Sequence, residues 1–166
     1  MNREIGLLLC NIIQAELALT SDRIWIYNQA KKIPIDENLF IVVRQINSRV
    51  WANRNIPSPI LSGMNAITTL NTVEEYSIDI ASVNAQARQR KEEVILALNS
   101  TFSLQQQEKY NFRIALIPTN FLNISSVEGS RMLTRFTINV RVYGVYTKTQ
   151  AVEYYDNFTH EEIIDY

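Results

Sequence analysis

Apolar residues at the start of the chain recur every three or four positions, which places them on one face of an α-helix. The sequence therefore predicts a helix over about residues 2–19, ended by the polar run Thr20, Ser21 and Asp22. The apolar face of this helix consists of Ile5, Leu8, Leu9, Ile12, Ile13 and Leu17.

Five later segments show the two-residue alternation that is typical of β-strands. Residues 24–27 are apolar on both sides, so this strand can be covered on both faces. Residues 66–81 alternate most clearly around Tyr76, Ile78 and Ile80, which predicts one wet face and one buried face. The predicted strands span residues 24–27, 39–51, 66–81, 112–116 and 136–143.

Other positions interrupt these strands. Residues 53–59 contain Pro57 and Pro59, and proline cannot supply the amide that a central strand requires, so we expect an exposed loop there. Residues 119–130 are mostly polar and predict a long connecting loop. Gly144 predicts a bulge or bend in the last strand.

Two further helices are predicted between the strands. Residues 84–98 are rich in good helix formers, and Ser82 or Asn84 can serve as the N-cap. The apolar stripe of this amphipathic helix consists of Ala87, Val94, Ile95 and Leu98. Ser103 and Gln106 have the spacing of a capping box, which predicts a short third helix ending near Lys109.

The order of these elements is a helix, several strands, two helices and two more strands. This order favours an α+β fold, with helices packed on one face of a mainly antiparallel sheet. We expect one domain over residues 1–150 and an aromatic, acidic extension over residues 151–166. The extension is expected to dock on something, because it is so rich in aromatic residues.

Charge and composition restrict the classes of function. The 166 residues include sixteen basic and seventeen acidic ones, for a formal net charge of −1, so the surplus of a dedicated nucleic-acid binder is missing. A local basic strip remains open, although Glu92 and Glu93 interrupt it. Its candidate members, which could face DNA or a lumen, are Arg88, Arg90, Lys91, Arg131, Arg135 and Arg141.

The same composition bears on where the chain is made. No apolar run is long enough to span a membrane or to resemble a signal peptide, so neither insertion nor secretion is indicated. Cys10 is the only cysteine, which is consistent with synthesis in a reducing compartment.

The residue types that carry catalysis are scarce or badly placed. His160 is the only histidine and has no carboxylate at a metal-ligand spacing, and the four glycines form neither a nucleophile elbow nor a phosphate loop. Adjacent carboxylates such as Glu74 and Glu75 point to opposite faces of a strand. The sequence therefore predicts no catalytic, metal or cofactor site, and a protein that is not an enzyme.

Aromatic residues are the better candidates for function, because they are enriched where proteins associate. Core packing is an equal explanation for Trp25 and Trp51, whereas the tyrosines late in the chain favour contact with a partner. The candidate interface residues are Trp51, Tyr143, Tyr146, Tyr154, Tyr155 and Phe158.

Two segments of the sequence, together with the element order, resemble those of the tail terminator and neck proteins of long-tailed bacteriophages. The first is the alternating strand at residues 75–82 leading into the helix that begins with Ala85, Gln86, Ala87 and Arg88. The second is residues 135–143, which resemble the long final strand of that family. The resemblance covers residues 1–156; the extension after Gln150 departs from a simple terminator.

This resemblance implies a structural virion protein at the head-proximal end of the tail. Such a protein is made in the host cytoplasm, forms a homohexameric ring that caps the tail tube, and joins the tail to the head connector. DNA passes through the ring without sequence-specific binding. Residues 56–64 and 119–130 become candidates to contact tube or connector, and the extension becomes a candidate to bind sheath, collar or connector.

Three alternatives remain open at this point. One is another head-tail joining or tail completion protein of similar fold. A second is a small enzyme or ligand-binding domain whose polar site is assembled from Arg44, Asp79, Arg113 and Arg141. The third is a monomeric adaptor that binds one partner through its second helix and its aromatic extension.

Overall fold

The structure, a computed structural model, is organised around one mixed sheet. It describes residues 4–27, 33–34, 36–60, 63–116, 120–128 and 131–152. Within them the order of elements is α1 (Ile5–Glu16), β1 (Ile24–Ile26), β2 (Phe40–Ile60), β3 (Gly63–Ser82), α2 (Gln86–Leu98), α3 (Thr101–Tyr110), β4 (Phe112–Leu116), β5 (Leu122–Asn123), β6 (Ser126–Glu128) and β7 (Arg131–Val152). The spatial order of the main strands is β1-β2-β3-β7-β4.

Strand directions confirm the predicted fold class. β2 with β3, β3 with β7 and β4 with β7 are antiparallel, and only β1 lies parallel to its neighbour β2. The three helices and the strands β1, β3 and β4 occur where the sequence predicts them, within a few residues at each end. The other two strands are longer than predicted: β2 continues to Ile60 rather than to residue 51, and β7 spans Arg131–Val152 rather than residues 136–143. The α+β prediction is therefore correct.

The main core lies between the helices and one side of the sheet. Even-numbered residues of β3 and β7 such as Ile78, Ile138 and Val142 are fully buried and pack with α1 residues such as Leu9 and Ile13. Each such side chain contributes roughly 1.5–3 kcal/mol on burial. We call this side of the sheet the helix face and the opposite side, which carries the odd-numbered residues of β3 and β7, the open face. At one end of the open face a second, smaller cluster is also buried; it consists of Trp25, Phe40, Ala81 and Leu133.

Helix starts follow local hydrogen-bond chemistry, in two cases differently from the prediction. The N-cap of α2 is Ala85 and not the predicted Ser82 or Asn84. Both predicted side chains nevertheless satisfy amides of the first turn: the Asn84 Oδ1 accepts from the Gln86 amide at 2.8 Å and the Ser82 Oγ accepts from the Ala87 amide at 2.9 Å. The capping box predicted at Ser103 is wrong. α3 begins earlier, because the Ser100 side chain accepts from the Ser103 amide at 3.0 Å.

The loop predicted at residues 53–59 is also wrong, because β2 continues to Ile60 and pairs along its whole length with β3. Pro57 and Pro59 are tolerated since β1 pairs only with Ile41–Val43, so this part of β2 is an edge with no neighbouring strand to receive its amides among the described strands. Residues 119–130 likewise contain two short strands, β5 and β6, that pair with β7.

No bulge occurs at Gly144, where the pairing of β3 with β7 continues without a register shift. The glycine is required by space instead. A Cβ there would lie 2.8 Å from the Ile5 Cδ1 and 2.8 Å from the Thr72 Oγ1. Gly144 thus lets the N-terminal end of α1 rest directly on the sheet.

We predict that Gly144→Ala lowers the free energy of unfolding by about 1–3 kcal/mol, because the added methyl group overpacks this contact. Urea denaturation followed by circular dichroism measures the change. Combining it with Ile5→Val, which removes the Cδ1 atom, should cost less than the sum of the two single changes. Full additivity, or a neutral single variant, would contradict the close approach described here.

Candidate functional site

The far halves of the three long strands form an extension of the sheet that the helices do not cover. We call residues 52–60, 64–71 and 145–152 the arm. No side chain described in the arm is buried: those of β2 and β7 are mostly exposed, and those of the central β3 are half-buried. The arm is thus a three-stranded ribbon with both faces accessible.

The arm is unusually poor in charge for such an accessible surface. Arg54 and Lys148 are its only charged residues; the others are apolar, threonine, asparagine, serine, proline, glutamine or tyrosine. At its base, Trp51 is 60% exposed and sits at a register shift between Val50 and Ala52. Depletion of charge and exposed aromatic residues are typical of protein interfaces.

Both edges of the arm lack a strand partner within the described chain. β1 pairs with β2 only at Ile41–Val43, and β4 pairs with β7 only up to Gly144. Beyond those points the backbone amides and carbonyls on the outer sides of β2 and β7 have no neighbouring strand among the described elements. Such edges are templates for pairing with another chain.

The open face collects most of the cations of the sheet. Its arginines come from three strands, and the pairing register places them on one side: Arg44, Arg49 and Arg54 from β2, Arg113 from β4, and Arg135 and Arg141 from β7. The acidic residues at equivalent positions of β3 are Glu75 and Asp79. We call these six arginines the arginine face.

Asp79 neutralises one end of this face. Its carboxylate is buried and accepts from Arg135 Nη2 at 2.5 Å and from Thr137 Oγ1 at 2.5 Å. Arg44 Nη2 lies 3.8 Å from the same carboxylate, and the Arg44 guanidinium stacks 4.1 Å from the ring centroid of Tyr27. Two guanidinium groups therefore share one carboxylate, which leaves positive charge in excess.

A second buried carboxylate, Glu74, lies on the helix face and is held by neutral donors. It accepts hydrogen bonds from the Tyr76 hydroxyl at 2.6 Å, the Tyr146 hydroxyl at 2.9 Å, the Gln45 amide at 3.0 Å and the Thr72 hydroxyl at 3.1 Å. Burial and the bond to Glu74 raise the pKa of both tyrosines above their usual range. Four donors satisfy the carboxylate, so its role here is to fix three strands together.

Residues proposed for a ligand site do not meet in one pocket. Arg44 and Asp79 are neighbours, but Arg141 donates instead to Glu75 at 2.8 Å. Arg113 lies at the edge of the sheet, beside an open groove of about 480 Å³ between α3 and β4. The groove is lined by Leu104, Gln107, Glu108, Phe112, Arg113 and Tyr143.

The predicted interface residues occupy different surroundings. Tyr143 is 40% exposed on the open face and lies beside the base of the arm, and Trp51 is 60% exposed at that base. Tyr146 instead packs against the main core and donates to Glu74. Tyr154, Tyr155 and Phe158 lie outside the described residues, as does His160.

The six predicted basic residues do not form a single strip. Arg88, Arg90 and Lys91 lie on α2, on the helix face, whereas Arg135 and Arg141 lie on the open face; the side chain of Arg131 is outside the described part. Arg90 pairs with Glu93 at 2.7 Å, and Lys91 pairs with Glu92. The α2 cations are therefore largely matched by the acids that interleave with them.

Sequence reasoning missed Arg49 and Arg54 as members of a functional surface. Arg54 falls in the segment taken for a loop, and the register shifts at Ile46 and Trp51 change which residues of β2 share a face. Only the pairing with β3 shows that these side chains join Arg141. Only a prediction that extended this strand through Pro57 would have included Arg54 in the sheet.

Comparison with known proteins adds no identification. A scan against protein-family models and a search of curated proteins both find no match for this chain. Among the described helices, none is long and apolar enough to cross a membrane. The described residues also contain no group of three or more histidine, cysteine, aspartate or glutamate side chains suited to a metal ion.

We predict that Glu74→Gln lowers the free energy of unfolding by about 1–3 kcal/mol. The substitution replaces one accepting carboxylate oxygen with an amide NH₂ group, which is a donor and would face the donors that now bind Glu74. Urea denaturation monitors the loss. Glu75→Gln, at the next position but half-buried on the open face, is the matched control and should change stability by less than 1 kcal/mol, roughly the value of an exposed pair. Equal effects would contradict the assigned role of Glu74.

Stability should also decline at alkaline pH. The folded-state pKa of Tyr76 and of Tyr146 is raised, so unfolding releases protons once the pH exceeds the ordinary tyrosine pKa of about 10. The stabilisation is complete below that pH and is lost as the pH rises above it. Urea denaturation from about pH 8 to about pH 11, a range that brackets the ordinary tyrosine pKa, should show the free energy of unfolding falling as the pH rises. The Tyr146→Phe variant should show a smaller fall.

Proposed function

We propose that this protein is a structural subunit of a long-tailed bacteriophage virion, a tail terminator or neck protein. Copies of the chain associate in a closed ring, expected to be a homohexamer, on the head-proximal end of the tail tube. The ring stops tube growth and presents the surface that meets the head connector. It acts without enzymatic turnover, and DNA passes through it.

The observation that carries this proposal is the arm. A ribbon of three strands with both faces accessible, little charge and an exposed tryptophan at its base is costly to leave in water. A second copy of the chain, or a tail protein, would cover it. A protein that worked as an isolated monomer would gain nothing from building this surface.

The two open strand edges support a ring rather than a dimer. The outer edges of β2 and β7 are different surfaces on opposite sides of one sheet. Contact between unlike patches generates either a closed ring or an open filament, whereas a twofold dimer uses one patch twice. Sequence resemblance to tail terminators, together with the α+β fold, favours the closed ring.

The test is electron microscopy of the purified chain added to polymerised tail tubes. We expect rings at one end of each tube, and tubes of limited length when the chain is present during polymerisation. A chain that stays monomeric and binds neither tube nor connector would overturn the proposal. Rings that bind only the connector would assign the chain to another head-tail joining protein.

Arm variants make the test specific. We predict that Ile56→Glu combined with Val145→Glu abolishes ring formation, because both side chains are exposed in the arm and a charge in an interface core is strongly unfavourable. The control is Leu96→Glu, at an α2 position that is 70% exposed. Thermal unfolding should be nearly unchanged in both proteins. Rings that survive the double change would show that the arm is not the subunit contact.

A further inference from the structure

We propose that the arginine face is the docking site for the acidic, aromatic segment 153–166 of a neighbouring copy of the chain. This inference adds to the proposed function by naming one contact between neighbouring subunits of the ring. Only the closure of the ring depends on the proposed function. The docking itself requires no more than two copies.

Charge is divided unevenly along the chain. Segment 153–166 contains five acidic residues and no lysine or arginine; its acidic members are Glu153, Asp156, Glu161, Glu162 and Asp165. The remaining twelve acidic and sixteen basic residues leave residues 1–152 with a formal charge of +4. The near-neutral total thus hides a basic body and an acidic segment.

The basic excess of the body is concentrated on the open face. Six arginines face two carboxylates there, so the excess on this one surface is four charges. Arg49, Arg54 and Arg113 make no ion pair with any described residue, and Arg44 Nε is buried without a hydrogen-bond acceptor. This surface is therefore complementary in both sign and magnitude to segment 153–166.

Aromatic chemistry matches as well. The segment contains Tyr154, Tyr155, Phe158 and Tyr166, and arginine guanidinium groups stack favourably on aromatic rings. The open face already shows this preference, since Arg44 stacks on the 60% exposed Tyr27. Tyr143 adds an exposed ring beside Arg113, its partner across the strand pair.

The direction of β7 limits how much of the arginine face the segment can reach on its own chain. β7 ends at Val152 at the tip of the arm, and Arg135 lies near its other end. At about 3.3 Å per residue, roughly 55 Å of strand separates the two, whereas residues 153–158 reach only about 20 Å beyond Val152. The first acidic and aromatic residues can therefore reach Arg54 of their own chain, which lies opposite Thr69 and Thr147 near the tip, but not Arg135. Only the segment of an adjacent copy can bring these residues to the Arg135 end of the face, and for this reason a neighbouring copy is the proposed donor.

Binding of the isolated segment is the first test. A fluorescently labelled peptide of residues 153–166 is titrated with full-length protein in which the segment is neutralised by E153Q, D156N, E161Q, E162Q and D165N. We expect saturable binding that weakens with added salt. Replacing Arg49, Arg54 and Arg141 together by glutamine should weaken it by about tenfold or more.

The matched control removes three cations of the helices, with Arg88→Gln, Arg90→Gln and Lys109→Gln, and should alter the affinity by less than about twofold. Arg44 and Arg135 are left in place in both proteins, because they balance the buried Asp79. Equal losses in the two triple variants would reveal nonspecific attraction and overturn the proposal. So would a failure of the peptide to bind while a DNA duplex binds the face.

Mixing separates a neighbouring segment from the chain's own. The protein with the neutralised segment keeps its arginine face, and the protein with the neutralised face keeps its segment. We expect each alone to form smaller species than the wild type in sedimentation, and an equimolar mixture to form a one-to-one dimer. If the peptide binds but no mixed dimer forms, the segment belongs on its own chain and the intermolecular contact is wrong.

These outcomes are distinct from those of the ring test. Rings on tail tubes with no peptide binding would leave the tail terminator function standing and remove only this contact. Peptide binding and a mixed dimer without any ring on tubes would retain the contact and remove the proposed function.

Discussion

Everything in this protein depends on the register between β3 and β7. Their pairing runs without a shift from Met64 opposite Val152 to Ser82 opposite Thr134, so it decides which side chains share a face over the whole sheet. A slip of β7 by one residue against β3 would turn Ile138 away from the helices and Arg141 toward them. Core formation and the arginine face are thus set by the same hydrogen bonds.

The helices cover only part of what this pairing creates. α1 and α2 bury one side of the sheet near Ile78 and Ile138, and Gly144 marks the place where the first residue of α1, Ile5, contacts it. Past that point β7 continues for a further eight residues, and among their described side chains only Tyr146 packs against the main core. A fold that needed only its own stability would have ended the strands there, since the added residues lose conformational entropy and bury little.

The sequence predicts the covered half well and the uncovered half poorly, for one physical reason. Where one face is buried, as around Tyr76, Ile78 and Ile80, alternation of apolar and polar residues is enforced and can be recognised. In the arm both faces are accessible, so residues 53–59 show no alternation and their prolines resemble a loop. Even so, the aromatic residue Trp51 was recognisable as an interface candidate, whereas Arg49 and Arg54 needed the register.

The two buried carboxylates show how the faces acquire different electrostatic characters. Glu74 is stabilised by neutral hydroxyl and amide donors, which add no charge, so the helix face can be closed by apolar helices. Asp79 is stabilised by Arg135 with Arg44 close by, and two cations on one anion leave the open face positive. Helices packed over such a face would have to bury unpaired arginines at a cost of several kcal/mol each. The arginine-bearing part of the open face is therefore suited to an acidic partner.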